Sequence, residues 1–289
     1  MRSILSLLLV VFLVMQNGGV TSQQVKAQPT ILYVPGAWHQ PIIFDKVIAI
    51  LSNEGFGSRK ISLASVGRSP PVTSLEPDVE VIRNTALAET QQGRNVVVVC
   101  HSYGGVPTNQ ALRGLDKPQS PGGGRVLAIV YIASYIIREG VAGSEAVEAQ
   151  GGSPNSLEYE FLPDGNVFFK NTSNPAEVFY SDLSAQEGKF WVSKLQPQSG
   201  ATYTAAANYA AWKDIPSWYL VTAQDKTLRP EVQRGWIREA REYLDQLGGP
   251  GTGNQMIISQ EINAGHCPFL SRPLETAQFI KRACDACKK

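Results

Sequence analysis

Histidine is scarce in this sequence, with three in 289 residues, at positions 39, 101 and 266. Any chemistry that needs a side-chain base near neutral pH has those three candidates. Cysteine is scarce as well: Cys100, Cys267, Cys284 and Cys287 are too few to hold a chain of this length together by disulfides. Cys284 and Cys287 are a candidate local disulfide, but no second Cys or His pair accompanies them at zinc spacing, so no metal site is expected. Blocks of like charge are missing; 26 Lys and Arg stand against 25 Asp and Glu, net +1. That balance leaves no electrostatic footprint for nucleic acid. Beyond the N-terminus there is no long apolar run, and mean hydropathy is −0.12, which predicts no internal membrane span. What the chain does have is 43% hydrophobic residues, enough for one substantial core and too many for a disordered or collagen-like protein.

The one apolar run, Ile4 to Met15, follows Arg2 and spans 12 residues. A membrane-crossing helix needs roughly 20 residues, so the pattern predicts a secretory signal over residues 1–22 and a secreted or lumenal protein with no stable membrane insertion. Cleavage after Ser22 or after Ala27 would each leave a small residue at the cut and a Val two positions before it. Asn171-Thr172-Ser173 is then a candidate N-glycosylation site at Asn171.

From Thr30 onward short β-branched runs alternate with helical ones, the signature of an α/β protein with a mostly parallel sheet. Strands are expected at Thr30 to Val34, Lys60 to Ala64, Asn95 to Cys100, Val126 to Ala133, Ser217 to Thr222 and Gln255 to Ile262. Helices are expected at Ile42 to Leu51, Asp78 to Gln92, Gly104 to Leu115, Glu231 to Leu244 and Leu274 to Cys284. Val96-Val97-Val98-Val99 is too uniformly apolar for a surface strand and belongs in the middle of a sheet covered on both faces. The rhythm breaks over about 137–215, far longer than a βα connection; this stretch is expected to be a helical lid inserted into a domain spanning 28–289.

The chemistry centres on Cys100-His101-Ser102-Tyr103-Gly104-Gly105. A buried strand runs into a helix through a serine flanked by small residues, as a strained nucleophile elbow requires. The bland alternative is Ser102 as an ordinary helix N-cap. A serine nucleophile needs a base. His266 lies just past the last strand at the sheet edge, whereas the His101 side chain would point away from Ser102 and His39 suits the pocket wall. The orienting carboxylate is expected at Asp225, directly after the penultimate strand, with Glu139 in reserve. Backbone N–H donors for a developing oxyanion are expected from Tyr103 and, on the first strand-to-helix loop, Ala37. Trp38, His39, Phe179 and Trp191 are candidate substrate-pocket residues, each able to be plain packing instead.

Val34-Pro35-Gly36-Ala37-Trp38-His39, the Ser102 elbow, Asp225 and Gly265-His266-Cys267-Pro268 together resemble the α/β-hydrolase superfamily, in particular its compact branch of plant methylesterases, hydroxynitrile lyases and fungal hydrolases. Val178-Phe179-Tyr180-Ser181-Asp182-Leu183 and Ala211-Trp212-Lys213-Asp214-Ile215-Pro216-Ser217 also look like fungal members, some of them similar to tailoring enzymes of secondary metabolism. The resemblance implies an α/β-hydrolase fold and a Ser102-His266-Asp225 triad, and the expected activity is a serine hydrolase that cleaves a small or medium-sized hydrophobic ester through an acyl-enzyme with no cofactor; a C–C bond hydrolase or lyase is the alternative. Two departures stand out: Pro35 replaces the usual histidine before the oxyanion glycine, and Cys100 replaces the first elbow glycine.

Overall fold

The computed structural model describes residues 28–151 and 158–287, so the expected signal segment lies outside the described residues. The chain forms β1 (Thr30–Val34), α1 (Asp45–Ser52), β2 (Ser58–Lys60), α2 (Glu76–Thr90), β3 (Val96–Ser102), α3 (Gly105–Ala111) and β4 (Val126–Ser134). An insertion follows, carrying α4 (Gly143–Ala149), β5 (Tyr159–Phe161), β6 (Asn166–Phe169), α5 (Pro175–Phe179), α6 (Ala185–Val192) and β7 (Gln198–Ser199). The alternation then resumes with β8 (Ser217–Thr222), α7 (Pro230–Gly248), α8 (Thr252–Met256), β9 (Ile257–Ile262), α9 (Pro268–Ser271) and α10 (Pro273–Ala286).

Six strands build one parallel sheet in the order β2-β1-β3-β4-β8-β9. The valine run of β3 explains itself in this setting. Val96, Val98 and Cys100 face the core formed with α2, α3 and α7, while Val97 and Val99 face the core formed with α1 and α10. Both faces are dry, so alternation with polar residues is not needed. Because β2 and β3 lie on opposite sides of β1, the connections diverge there, and the crevice at the C-terminal ends of β1 and β3 is where such a sheet leaves room for a ligand.

Three elements depart from the expected ones. The second strand is Ser58–Lys60 and not Lys60 to Ala64, because the chain leaves the sheet early to carry Ser65 to Asp78. The strand expected from Gln255 starts at Ile257, and Gln255 and Met256 belong to the short helix α8. The insertion is not helical throughout: β5, β6 and β7 form a small antiparallel sheet, joined to the rest through Ser199 N–H donating to the Ser65 carbonyl at 2.8 Å. Cys284 and Cys287 form no disulfide; the Cys287 Sγ is turned toward the carbonyl of Ala283 at 3.1 Å. Among the described residues no helix is long and apolar enough to cross a membrane.

Candidate active site

Ser102 ends β3 and has φ +51°, a left-handed conformation that a serine adopts only when its surroundings over-determine it. Those surroundings are visible. Ser134 Oγ donates to the Ser102 carbonyl at 2.8 Å, and Gly104 passes so close to the first loop that a Cβ there would lie 2.4 Å from the Pro35 carbonyl oxygen. Gly36 is equally constrained, since its Cβ would meet that of Ser102 at 2.8 Å. At position 100 the neighbour is softer. The buried thiol sits 3.8 Å from Ser134 Oγ, and burial pushes its pKa up to about 12, so Cys100 is an inert space-filler where the family pattern has glycine.

Opposite the elbow, His266 Nδ1 lies 2.8 Å from Asp225 Oδ2, with both side chains fully buried. The carboxylate is saturated. Oδ1 accepts from the N–H groups of Thr227 at 2.7 Å and Leu228 at 2.9 Å, and Oδ2 also accepts from Thr222 Oγ at 2.8 Å and Gln233 Nε2 at 3.1 Å. An acceptor so fully occupied holds the imidazole in the tautomer with its proton on Nδ1, leaving the Nε2 lone pair open. Among the described residues His266 Nε2 has no hydrogen-bond partner. The Phe179 ring packs 5.7 Å from the imidazole and shields it from water. On the other side His101 Nε2 donates to the His266 carbonyl at 3.0 Å, so the histidine beside Ser102 braces the loop of the other. Burial drives the pKa of His101 well down, which keeps it neutral.

The first loop is braced through its neighbours. Trp38 has φ +62°; its N–H donates to Gln198 Oε1 at 3.2 Å, and its Nε1 donates to the Val167 carbonyl at 3.2 Å. His39 Nδ1 donates to the Ala37 carbonyl at 2.7 Å, and Tyr180 O–H donates to His39 Nε2 at 2.8 Å. Burial lowers the His39 pKa to about 4. Among the described residues nothing accepts from the N–H of Ala37 or of Tyr103, so both are open to a ligand, while the N–H groups of Trp38 and His39 are taken.

Ser102, Ala37, Trp38 and Tyr103 line a cavity of about 160 Å³, closed by Val106, Tyr135, Val147, Tyr159, Gln198, Thr202, Tyr203 and Leu228, with the exposed Glu148 at its rim. The insertion thus supplies much of the wall. His39 is buried among His101, Phe179 and Tyr180 and is absent from the lining; Phe179 lies against Trp38, His39 and His266; Trp191 is partly buried and packs against the apolar core on that side. Tyr135, Tyr159 and Tyr203, which do line the cavity, have no sequence signal, because Tyr135 and Tyr203 lie on irregular segments and Tyr159 opens the three-residue β5. Gln233 has none either: its link to Asp225 depends on where α7 packs. Glu139, the reserve carboxylate, is tied to Lys213 at 2.7 Å. Asn171 stands exposed on the turn after β6. No cluster of three or more His, Cys, Asp or Glu is placed to hold a metal ion among the described residues.

Residues 31–279 match the family described as the alpha/beta hydrolase family. Among relatives, the chain is 28% identical over 257 residues to the alpha/beta hydrolase nvfD of Aspergillus novofumigatus, covering 89% of this chain and 96% of that one. It is 32% identical over 255 residues to a probable hydrolase, R7, of a Phoma species, covering 88% and 97%. Among solved structures, a methylesterase from Arabidopsis, MES16, superposes with a TM-score of 0.64 at 18% identity over 89% of this chain and 99% of that one, a likeness of fold.

Proposed function

The chain belongs to the alpha/beta hydrolase family, and on that premise we propose that it is a serine hydrolase of small, apolar carboxylic esters. The observations that carry the reading are the buried Asp225–His266 pair with an unpartnered Nε2 and a serine held at φ +51° on the cavity wall. In the proposed reaction His266 Nε2 takes the Ser102 hydroxyl proton as Oγ attacks the ester carbonyl. Asp225 fixes the ring and stabilises the imidazolium. The oxyanion is received by the N–H groups of Ala37 and Tyr103, and the alcohol leaves with the proton from His266. Water, deprotonated by the same nitrogen, then releases the acid and restores Ser102. No cofactor or metal is required for these steps.

Size and polarity support the substrate class. A dry cavity of about 150 Å³ takes a single benzene ring, so the about 160 Å³ here suits an acyl or alcohol group of that bulk. Part of the polar lining is already occupied: Tyr103 O–H bonds Asp78, while Gln198 and Thr202 bond each other and their neighbours, and the Tyr203 hydroxyl is the buried lining group left without a partner among the described residues. What the wall offers a substrate is largely aromatic surface. The apolar leader and the exposed Asn171 support entry into the secretory pathway.

Hydrolysis of p-nitrophenyl acetate through decanoate, beside a Ser102→Ala variant, tests the proposal. Short esters are cleaved faster than long ones, and the variant is inactive. A folded wild-type protein that cleaves none of them would refute ester hydrolysis and favour C–C hydrolysis or lyase chemistry with the same residues.

A further inference from the structure

Beneath one wall of the cavity runs a chain of polar side chains that ends on a single carboxylate. Asp78, in the first turn of α2, is fully buried, and among the described residues no Lys, Arg or His pairs with it. Its Oδ1 accepts the Ser65 N–H at 2.9 Å; its Oδ2 accepts Ser65 Oγ–H at 2.5 Å and Tyr103 O–H at 2.8 Å. Ser65 has spent its only hydroxyl hydrogen on Asp78, so its Oγ accepts from Gln198 Nε2, 2.8 Å away. Gln198 Nε2 also donates to Thr202 Oγ1 at 2.8 Å, which orients the amide and leaves Oε1 to accept the Trp38 N–H at 3.2 Å. Along the path from Trp38 through Gln198 and Ser65, and along that from Tyr103, each donor hydrogen points toward Asp78, with the Gln198–Thr202 bond as a side branch.

The two ends of this chain are the two loops of the site. One is Tyr103, whose own N–H is open; the other is Trp38, whose neighbour Ala37 carries the second open N–H. Both loops hold non-glycine residues in the left-handed region, Ser102 at φ +51° and Trp38 at φ +62°, a conformation that persists only where the surroundings over-determine it. A buried carboxylate without a cation is itself costly, and burial raises its pKa, so it is a poor choice for stability alone.

We propose that Asp78 is a positioning residue for the reaction: through Tyr103 on one side and through Ser65 and Gln198 on the other, it holds both oxyanion-binding loops in register. The proposal rests on the acyl-transfer reading above. Charge develops on the carbonyl oxygen only in the transition state, so a loosened pair of donors lowers kcat and leaves KM nearly unchanged.

Asp78→Asn keeps the shape and removes one acceptor oxygen, so Ser65 Oγ–H and Tyr103 O–H lose their common partner. Tyr103→Phe cuts one arm only. Each variant is compared with wild type in three readouts: kcat and KM for p-nitrophenyl acetate per active site, the rate of Ser102 phosphonylation by a fluorophosphonate, and inhibition by a trifluoromethyl ketone, whose adduct places an oxyanion between the two loops. Asp78→Asn is expected to lower kcat and the phosphonylation rate about 10- to 100-fold and to weaken the ketone by the same factor, with KM within about twofold. Tyr103→Phe is expected to fall between it and wild type. If fewer molecules are labelled but each works at the wild-type rate, Asp78 merely supports folding and the proposal is overturned. A rise in KM at constant kcat overturns it as well. A folded wild-type protein that no fluorophosphonate labels overturns the serine-hydrolase reading and the proposal with it.

Discussion

Replacing Gly36 by alanine adds one methyl group where the first loop crosses the elbow. The new Cβ would lie 2.8 Å from Ser102 Cβ and 3.0 Å from His101 Nδ1, 0.6 Å and 0.4 Å inside the 3.4 Å at which ordinary contact begins. Neither neighbour can yield freely, since Ser102 is fixed at the end of β3 and His101 is tied to the His266 carbonyl. The displacement therefore falls on the loop that carries Ala37, moving its N–H by roughly half an ångström or more relative to the developing oxyanion. A misplacement of about 1 Å costs about 100-fold in rate, and overpacking of this kind costs about 1–3 kcal/mol in stability. Gly36→Ala should thus fold, melt several degrees lower, and show kcat for p-nitrophenyl acetate reduced about tenfold or more, roughly 1.4 kcal/mol of transition-state binding at the least, with KM changed little. Steady-state kinetics normalised to fluorophosphonate-titratable sites measure this directly. A folded variant with kcat within about threefold of wild type would refute the claim that this loop supplies an oxyanion donor.

Other consequences are as definite. Gln233→Leu leaves Asp225 without its Nε2 donor and the Thr222 N–H without its acceptor; it should lower stability by about 1–3 kcal/mol and kcat about tenfold, read by urea unfolding and ester kinetics. His39 stays neutral down to pH of about 4 when folded but takes up a proton near 6.5 when unfolded. Its contribution to stability is therefore full above pH 6.5 and is lost progressively as pH falls toward 4, by up to about 3 kcal/mol, and His39→Asn should flatten the corresponding part of the stability–pH curve. Expressed in a eukaryotic secretory host, the protein should carry a glycan that peptide-N-glycosidase removes and that Asn171→Gln abolishes; an unmodified secreted protein would contradict the site.

The central strands of the sheet were legible because they are covered on both faces, whereas the edge strands β2 and β9, largely exposed, are where the expected bounds slipped. A run such as Val96 to Val99 has only one kind of home, and the small residues after Ser102 announce the turn that follows. His266 and Asp225 were legible for a related reason: each follows a recognisable strand directly, so the sheet's C-terminal edge gathers them. The pocket wall was not legible. β5, β6 and β7 have three, four and two residues, too short for any periodicity to show. The candidate pocket aromatics Phe179 and Trp191 sit on α5 and α6, whose apolar faces are turned into the packed core, while cavity-lining Tyr135 and Tyr203 come from irregular chain and Tyr159 from the short β5. The Asp78 chain was invisible in principle. Ser65 and Gln198 are 133 positions apart, and nothing local to either reports that they touch.

The central claim is that Ser102 carries the acyl group between the two halves of the reaction. Acid-quenching the wild-type protein during turnover of p-nitrophenyl acetate, followed by peptide mass spectrometry, tests it most directly. The account predicts an acetylated peptide with the modification on Ser102, absent from Ser102→Ala. Steady product formation with no acyl group on Ser102 at any quench time, in a protein whose deacylation has been slowed by low pH, would contradict it.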